Sequence, residues 1–112
     1  MKVKELEGTA LDWAVAQIVF PEWIEEQYNK GKPSDLMFDD GEYFLPSTDW
    51  GQGGPIIERE FIALGYGPND GWIGMDMDGN YYFGPTPLIA AMRCFVATHL
   101  GAETEIPEDL LI

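Results

Sequence analysis

The chain has 112 residues, 46% of them hydrophobic and four of them Trp, which suits one packed domain and excludes a disordered acidic chain. Twenty acids against six Lys and Arg give a formal charge of −14, which argues against nucleic acid as a direct ligand, because phosphate affinity comes mostly from basic side chains. One cysteine, Cys94, excludes an internal disulfide, and no apolar run approaches the ~20 residues that cross a bilayer. The place of Cys94 within an apolar run predicts a buried thiol in a reducing compartment, and the start MKVKELEG lacks the apolar core of a signal peptide. The expectation is a cytoplasmic protein. Its charge is uneven: all four lysines lie in residues 1–32, and residues 36–112 hold thirteen acids against two arginines, a formal −11. A basic protein or a cation fits that surface, although net charge also serves solubility alone.

In chain order, Thr9 reads as an N-cap with Asp12 three residues on, and Leu11, Ala14, Val15, Ile18 and Val19 follow at helical spacing. A helix over Ala10–Val19 is predicted. Pro21 pushes Phe20 out of the α region and opens a second short helix, PEWIEEQYNK, ended by Gly31. Lys32–Pro46 predicts two short strand-like pieces around Asp39-Asp40-Gly41. Ile56, Ile57, Phe61 and Leu64 fit a helix opened by Pro55 and closed by Gly65. Trp72–Met77 and Asn80–Phe83 flank Asp78-Gly79, predicting a hairpin with a type I′ turn or a near relative. Thr86 as N-cap, Pro87 at the first position and Gly101 past the end frame a last helix, whose run of apolar residues from Leu88 to Leu100 predicts burial. The tail, residues 102–112, is acidic, with Ile106, Leu110 and Leu111 placed to fold back. The fold class expected is α+β, the last helix packed on a small antiparallel sheet with a second amphipathic helix beside it.

Two tracts carry the functional signal: Ser47–Glu60, STDWGQGGPIIERE, and Gly84–Arg93, GPTPLIAAMR, each with one of the two arginines. Glycines before a helix can aim backbone N–H groups at an anion, but no Walker A or dinucleotide fingerprint is present and Pro55 removes a donor. The structural alternative is a tight loop with glycines at positive φ, Asp49 making an Asx turn and Trp50 plugging the core. Arg59 and Arg93 offer planar forks for carboxylate or phosphate, and among twenty acids their default is an internal ion pair. If both helix starts converge, they form a small-molecule pocket walled by Trp50 and Trp72. Its ligand-binding candidates are Ser47, Thr48, Asp49, Trp50, Gln52, Gly53, Gly54, Glu58, Arg59, Trp72, Thr86 and Arg93. Asp76-Met77-Asp78-Gly79-Asn80 fails as a calcium loop, since Pro87 stands where the closing Glu belongs. His99, the only histidine, suits a capping or packing role at a helix C-terminus. No nucleophile–base spacing, metal or cofactor is nominated.

With these residues assembled, the chain resembles the NinX-like proteins of tailed phages and prophages, a family without an established activity. The resemblance rests on ELEGTALDWAVA, STDWGQGGPIIERE and GPTPLIAAMRCFVATHLGAETEIPEDL, about half of the chain. It departs at Gly51, where the family pattern has alanine, and it marks residues 21–44 as a variable insertion. The resemblance implies a phage accessory protein in a bacterial cytoplasm and carries no catalytic roles.

The leading expectation is therefore a non-enzymatic binding module using the Gly/Trp/Arg pocket for a small ligand, anionic or nucleotide-like. The alternative is an acidic inhibitor or decoy of a basic host protein. A minor alternative is an enzyme using Asp49, Glu58 or His99 as acid or base, which requires burial to lift a carboxyl pKa toward neutrality. An oligomer is compatible with any of these.

Overall fold

The final helix organises the molecule. Thr86 Oγ1 accepts from Ile89 N at 3.1 Å, Pro87 takes the first turn, and the helix runs to Leu100 before Gly101 at φ 90°, as the sequence pattern predicts. Nine consecutive residues, Leu88–Val96, are buried, so the helix is enclosed on all sides over that stretch, but the burial predicted through Leu100 fails in the last turn, where Thr98, His99 and Leu100 are exposed. The computed structural model describes residues 1–29, 36–67 and 71–111. In those residues the helices are α1 (Gly8–Val19), α2 (Pro21–Asn29), α3 (Trp50–Arg59) and α4 (Pro87–Leu100). The strands are β1 (Ala63–Gly67), β2 (Gly71–Met75) and β3 (Tyr81–Gly84), joined as an antiparallel sheet in the order β1-β2-β3. This is the α+β architecture expected, with β2 and β3 packed on α4 and α1 on another side of that helix.

Two glycines permit the contact of sheet and helix. A Cβ at Gly84 would lie 2.5 Å from Ala90 N, and one at Gly74 would lie 2.8 Å from Ala90 O. Helix backbone and strand backbone thus touch, and small Ala90 and Ala91 complete the fit. Because Gly74 and Gly84 face α4, strand alternation turns Ala63, Gly65, Ile73, Met75, Tyr81 and Phe83 to the opposite face, where registers Ile73↔Phe83 and Met75↔Tyr81 set them side by side.

Several boundaries differ from the sequence reading. Helix α1 begins at Gly8 with Glu7 at its N-cap and no side-chain cap; Thr9 sits inside the first turn, and Asp12 is buried instead of completing a capping box. Helix α3 begins at Trp50, not Pro55, because Asp49 Oδ1 accepts from Gly51 N at 2.8 Å and starts the helix early. Pro55 therefore lies inside it. The helical reading of Ile56–Leu64 fails after Arg59. Phe61 takes φ 54°, a conformation glycine normally supplies, Ile62 N donates to Ile57 O, and Ala63 opens strand β1. Burial of Ile62 in the core fixes that turn.

The hairpin is as predicted, though its turn is the near relative: only Gly79 has positive φ, and Asp76 organises the loop. Of the two pieces expected in Lys32–Pro46, residues 36–46 show only an isolated Met37↔Tyr43 bridge around the Asp39-Asp40-Gly41 turn; the part before Leu36, and Gly31 as a stop, lie outside the described residues. Ile106 and Leu110 of the tail return to the core, and Leu111 stays exposed. Gly84→Ala should destabilise the protein by about 3 kcal/mol, the upper range for overpacking, because its methyl meets backbone and not a movable side chain. Urea denaturation measures this, and Gly79→Ala, whose Cβ would meet open space, should cost less despite its positive φ.

Candidate functional site

The Ser47–Arg59 tract forms the turn before α3 and α3 itself. Gly53 is its contact with α4: a Cβ there would fall 2.3 Å from Pro46 O and 2.6 Å from Leu88 Cδ2. The starts of α3 and α4 therefore pack against one another, with Thr86 capping the second. Their polar groups are turned to local use. Asp49 O accepts from Gln52 N and Gly53 N, so with the Gly51 contact one residue takes three donors of the helix start. Gln52 Nε2 donates to Tyr43 O at 2.7 Å and its Oε1 accepts from Leu45 N, tying α3 to the preceding segment. The glycines of this tract are helical and have no positive φ, and Trp50 is 53% exposed instead of plugging the core. Gly54 is half-buried and Thr48 exposed.

The arginines are not at the helix starts. Because α3 begins five residues early, Arg59 and exposed Glu58 occupy its far end, about 13 Å along the axis from Trp50. There Arg59 Nε lies 3.5 Å from Glu60 Oε2, and Glu60 Oε1 meets His99 Nε2 at 2.7 Å, joining the ends of α3 and α4. Arg59 is thus in an ion pair, the internal role expected. Arg93 is in none among the described residues: its Nε donates to Leu6 O at 2.8 Å and a terminal nitrogen to Phe83 O at 2.9 Å. It is only 9% exposed, and burial pulls its pKa below the ordinary value while Glu7 opposes that shift. Its fork clamps the N-terminal segment and β3 to α4. Trp72 is half-buried on β2 opposite Gly84, with the Tyr66 ring edge-on at 5.0 Å.

A buried carboxylate went unread in the sequence. Asp12 is 1% exposed, and its Oδ1 accepts from Ser47 N at 2.8 Å, fastening α1 to the turn before α3. Burial lifts its pKa to about 6, against the opposing pull of Ser47, whose N–H is bound and whose hydroxyl lies nearby without an aligned hydrogen bond. The spacing gave one hint: Asp12 falls within the apolar stretch of α1. Asp76 is the opposite case. Desolvation raises its pKa, but hydrogen bonds from Thr98, Asn80 and Asp78 together outweigh this and hold it below the usual carboxylate value. Its oxygens shape the hairpin loop and bind Thr98 of α4 at 2.9 Å. Cys94 is buried, and burial followed by the Asp76 charge pushes its thiol to about 11.

Over residues 2–99 the chain matches the family described as Bacteriophage P22, NinX. It belongs to that family. No curated protein matches it. The NinX match takes in both tracts, the whole sheet and the Arg93 clamp, and stops short of the acidic tail. At Gly51, where the resemblance expects alanine, a Cβ would stand 3.1 Å from Asp49 Oδ1, so glycine relaxes the cap.

Two outcomes follow. The raised Asp12 pKa means that its protonated form favours the fold: the contribution is full below pH 3.8 and is lost as pH rises through about 6. Asp12→Asn keeps an acceptor for Ser47 N, so its stability relative to the parent should rise between pH 4 and 8, by up to about 3 kcal/mol in urea titrations. Arg93→Met should instead destabilise at every pH by about 2–3 kcal/mol, since one buried and one partly buried carbonyl lose their donor.

Proposed function

We propose that this NinX family member is a non-enzymatic phage accessory protein that acts in the bacterial cytoplasm by binding a basic protein. The supporting observation is the outer face of the sheet. Among the described residues the fourteen of the strands contain no charged side chain, in a chain of formal charge −14. Met75, Tyr81 (55% exposed) and Phe83 are open on that face, and Phe61 (71%) and Met77 project at its margin. Exposed apolar surface of this kind marks interaction sites, and the β1 edge carries none of the charges or prolines that usually blunt edge strands. The surrounding acids supply long-range attraction to a basic partner, and the neutral sheet supplies apolar contact at short range.

A small-ligand site at the start of α3 is the second reading, favoured by the exposed Trp50 ring beside Gly54, where a Cβ would meet open space. Retention of proteins from host lysate separates the two. The parent chain should hold a basic protein at low salt and release it as salt rises, and Tyr81→Ser with Phe83→Ser should abolish retention while circular dichroism stays unchanged. Retention that ignores salt and the sheet variants but fails with Trp50→Ala would overturn the basic-protein reading in favour of the ligand site.

A further inference from the structure

The junction of α1 and α2 carries two adjoining openings of about 450 and 400 Å³ that share Trp23 and Glu26, a size that suits ligand recognition. Their apolar walls include Phe20, Trp23, Met37 and Phe38. Trp23 stacks on Phe38 with ring centroids 4.7 Å apart, and Phe20 packs edge-on against both. Exposure of Phe20 and Met37 and half-exposure of Trp23 and Phe38 leave aromatic surface open to a ligand. The polar walls are Glu22, Glu26, Gln27 and Asp39, and among the described residues no Lys or Arg lines either opening.

Glu22 and Glu26 are four residues apart on α2, so they share a face and repel one another. Among the described residues neither belongs to an ion pair. Aromatic faces beside carboxylates that meet no cation among the described residues suit one kind of group: a planar, weakly hydrated cation with an apolar stem. A guanidinium can lie flat against Trp23 and donate in parallel to a carboxylate, whereas an ammonium offers neither the plane nor the fork.

We infer that this groove binds an arginine side chain displayed on a partner protein, with Trp23 as the platform and Glu22 and Glu26 as the acceptors. The inference rests on the reading of a basic partner and names the group that partner presents. It is independent of the sheet face, which would meet other parts of the same protein.

The test is an NMR titration of the full chain with a short Gly/Ser peptide holding one central arginine, beside peptides with citrulline or lysine at that place. Saturable shifts should concentrate at the Trp23 indole and at residues 19–27 and 36–39. Affinity should fall about tenfold or more with citrulline, with lysine, and in E22Q/E26Q, whose side chains are exposed and whose fold should persist. Trp23→Ala should also weaken binding, and E22Q/E26Q covers the case in which that variant unfolds. Unsaturated shifts spread over the acidic surface, or equal binding by the citrulline peptide, the lysine peptide or E22Q/E26Q, would overturn the inference. The two readings fail separately. Undiminished lysate retention by E22Q/E26Q rejects the groove and leaves the basic partner standing, whereas specific peptide binding with no retained protein does the reverse.

Discussion

Backbone contact between α4 and the sheet is the constraint from which the rest of this structure follows. Gly74 and Gly84 let two strands approach Ala90 until no side chain intervenes. That closeness fixes the pleat, since whatever alternates with these glycines must face away from the helix. It also places Phe83 O within reach of Arg93, and through Arg93 the N-terminal segment is joined at Leu6 O. A guanidinium suits this junction because its fixed fork satisfies two separate carbonyls at once, with the Glu7 charge offsetting part of the cost of its burial. The same contact thus determines which residues are hidden and which form the open outer face.

The residues that look most functional in the sequence are mostly engaged with their own chain. Asp49 receives three N–H groups, Gln52 bridges two segments, Thr86 caps α4, and Arg93 clamps β3. A donor already held by a backbone carbonyl has little to offer a ligand without losing its native bond. The surface presents a different set: aromatic and Met side chains on an uncharged sheet, and an aromatic groove edged with carboxylates. In the proposed reading both serve contact with a protein, and the formal charge of −14 repels small anions over long range.

Much of the fold was legible because local rules and tertiary contacts agree. Thr86-Pro87 with Gly101, and Asp78-Gly79 between apolar runs, carry their boundaries in short-range chemistry. Where local rules compete, the sequence was ambiguous. Asp49 and Pro55 both signal a helix start, and the side-chain cap prevails because it satisfies a donor that proline would merely lack. Strand β1 was hidden because a helix normally ends at glycine, and here Phe61 adopts that conformation. Gly65, read as the stop, instead pairs with Ile73 inside the sheet. The packing of the α3 start against the α4 start at Gly53 was legible as a convergence of two glycine-bearing tracts. The roles of the arginines were not, because they depended on where α3 begins.

The groove was illegible for another reason. Its walls come from residues 19–27 and 36–39, which sequence rules read as a helix junction and an irregular segment, and only the fold brings Phe38 onto Trp23. Acidity likewise carries different meanings at different sites. The carboxylate of Asp12 is buried and fastens α1 to the turn before α3; that of Asp76 is consumed by its own loop; those of Glu22 and Glu26 face outward beside aromatic rings with no cation in the described structure. Composition assigns the three the same charge and the same preference for water. Only the third arrangement sets acceptors without a cation among the described residues next to apolar surface, and in the proposed reading that pairing, rather than the total of −14, is what would distinguish one basic partner from another.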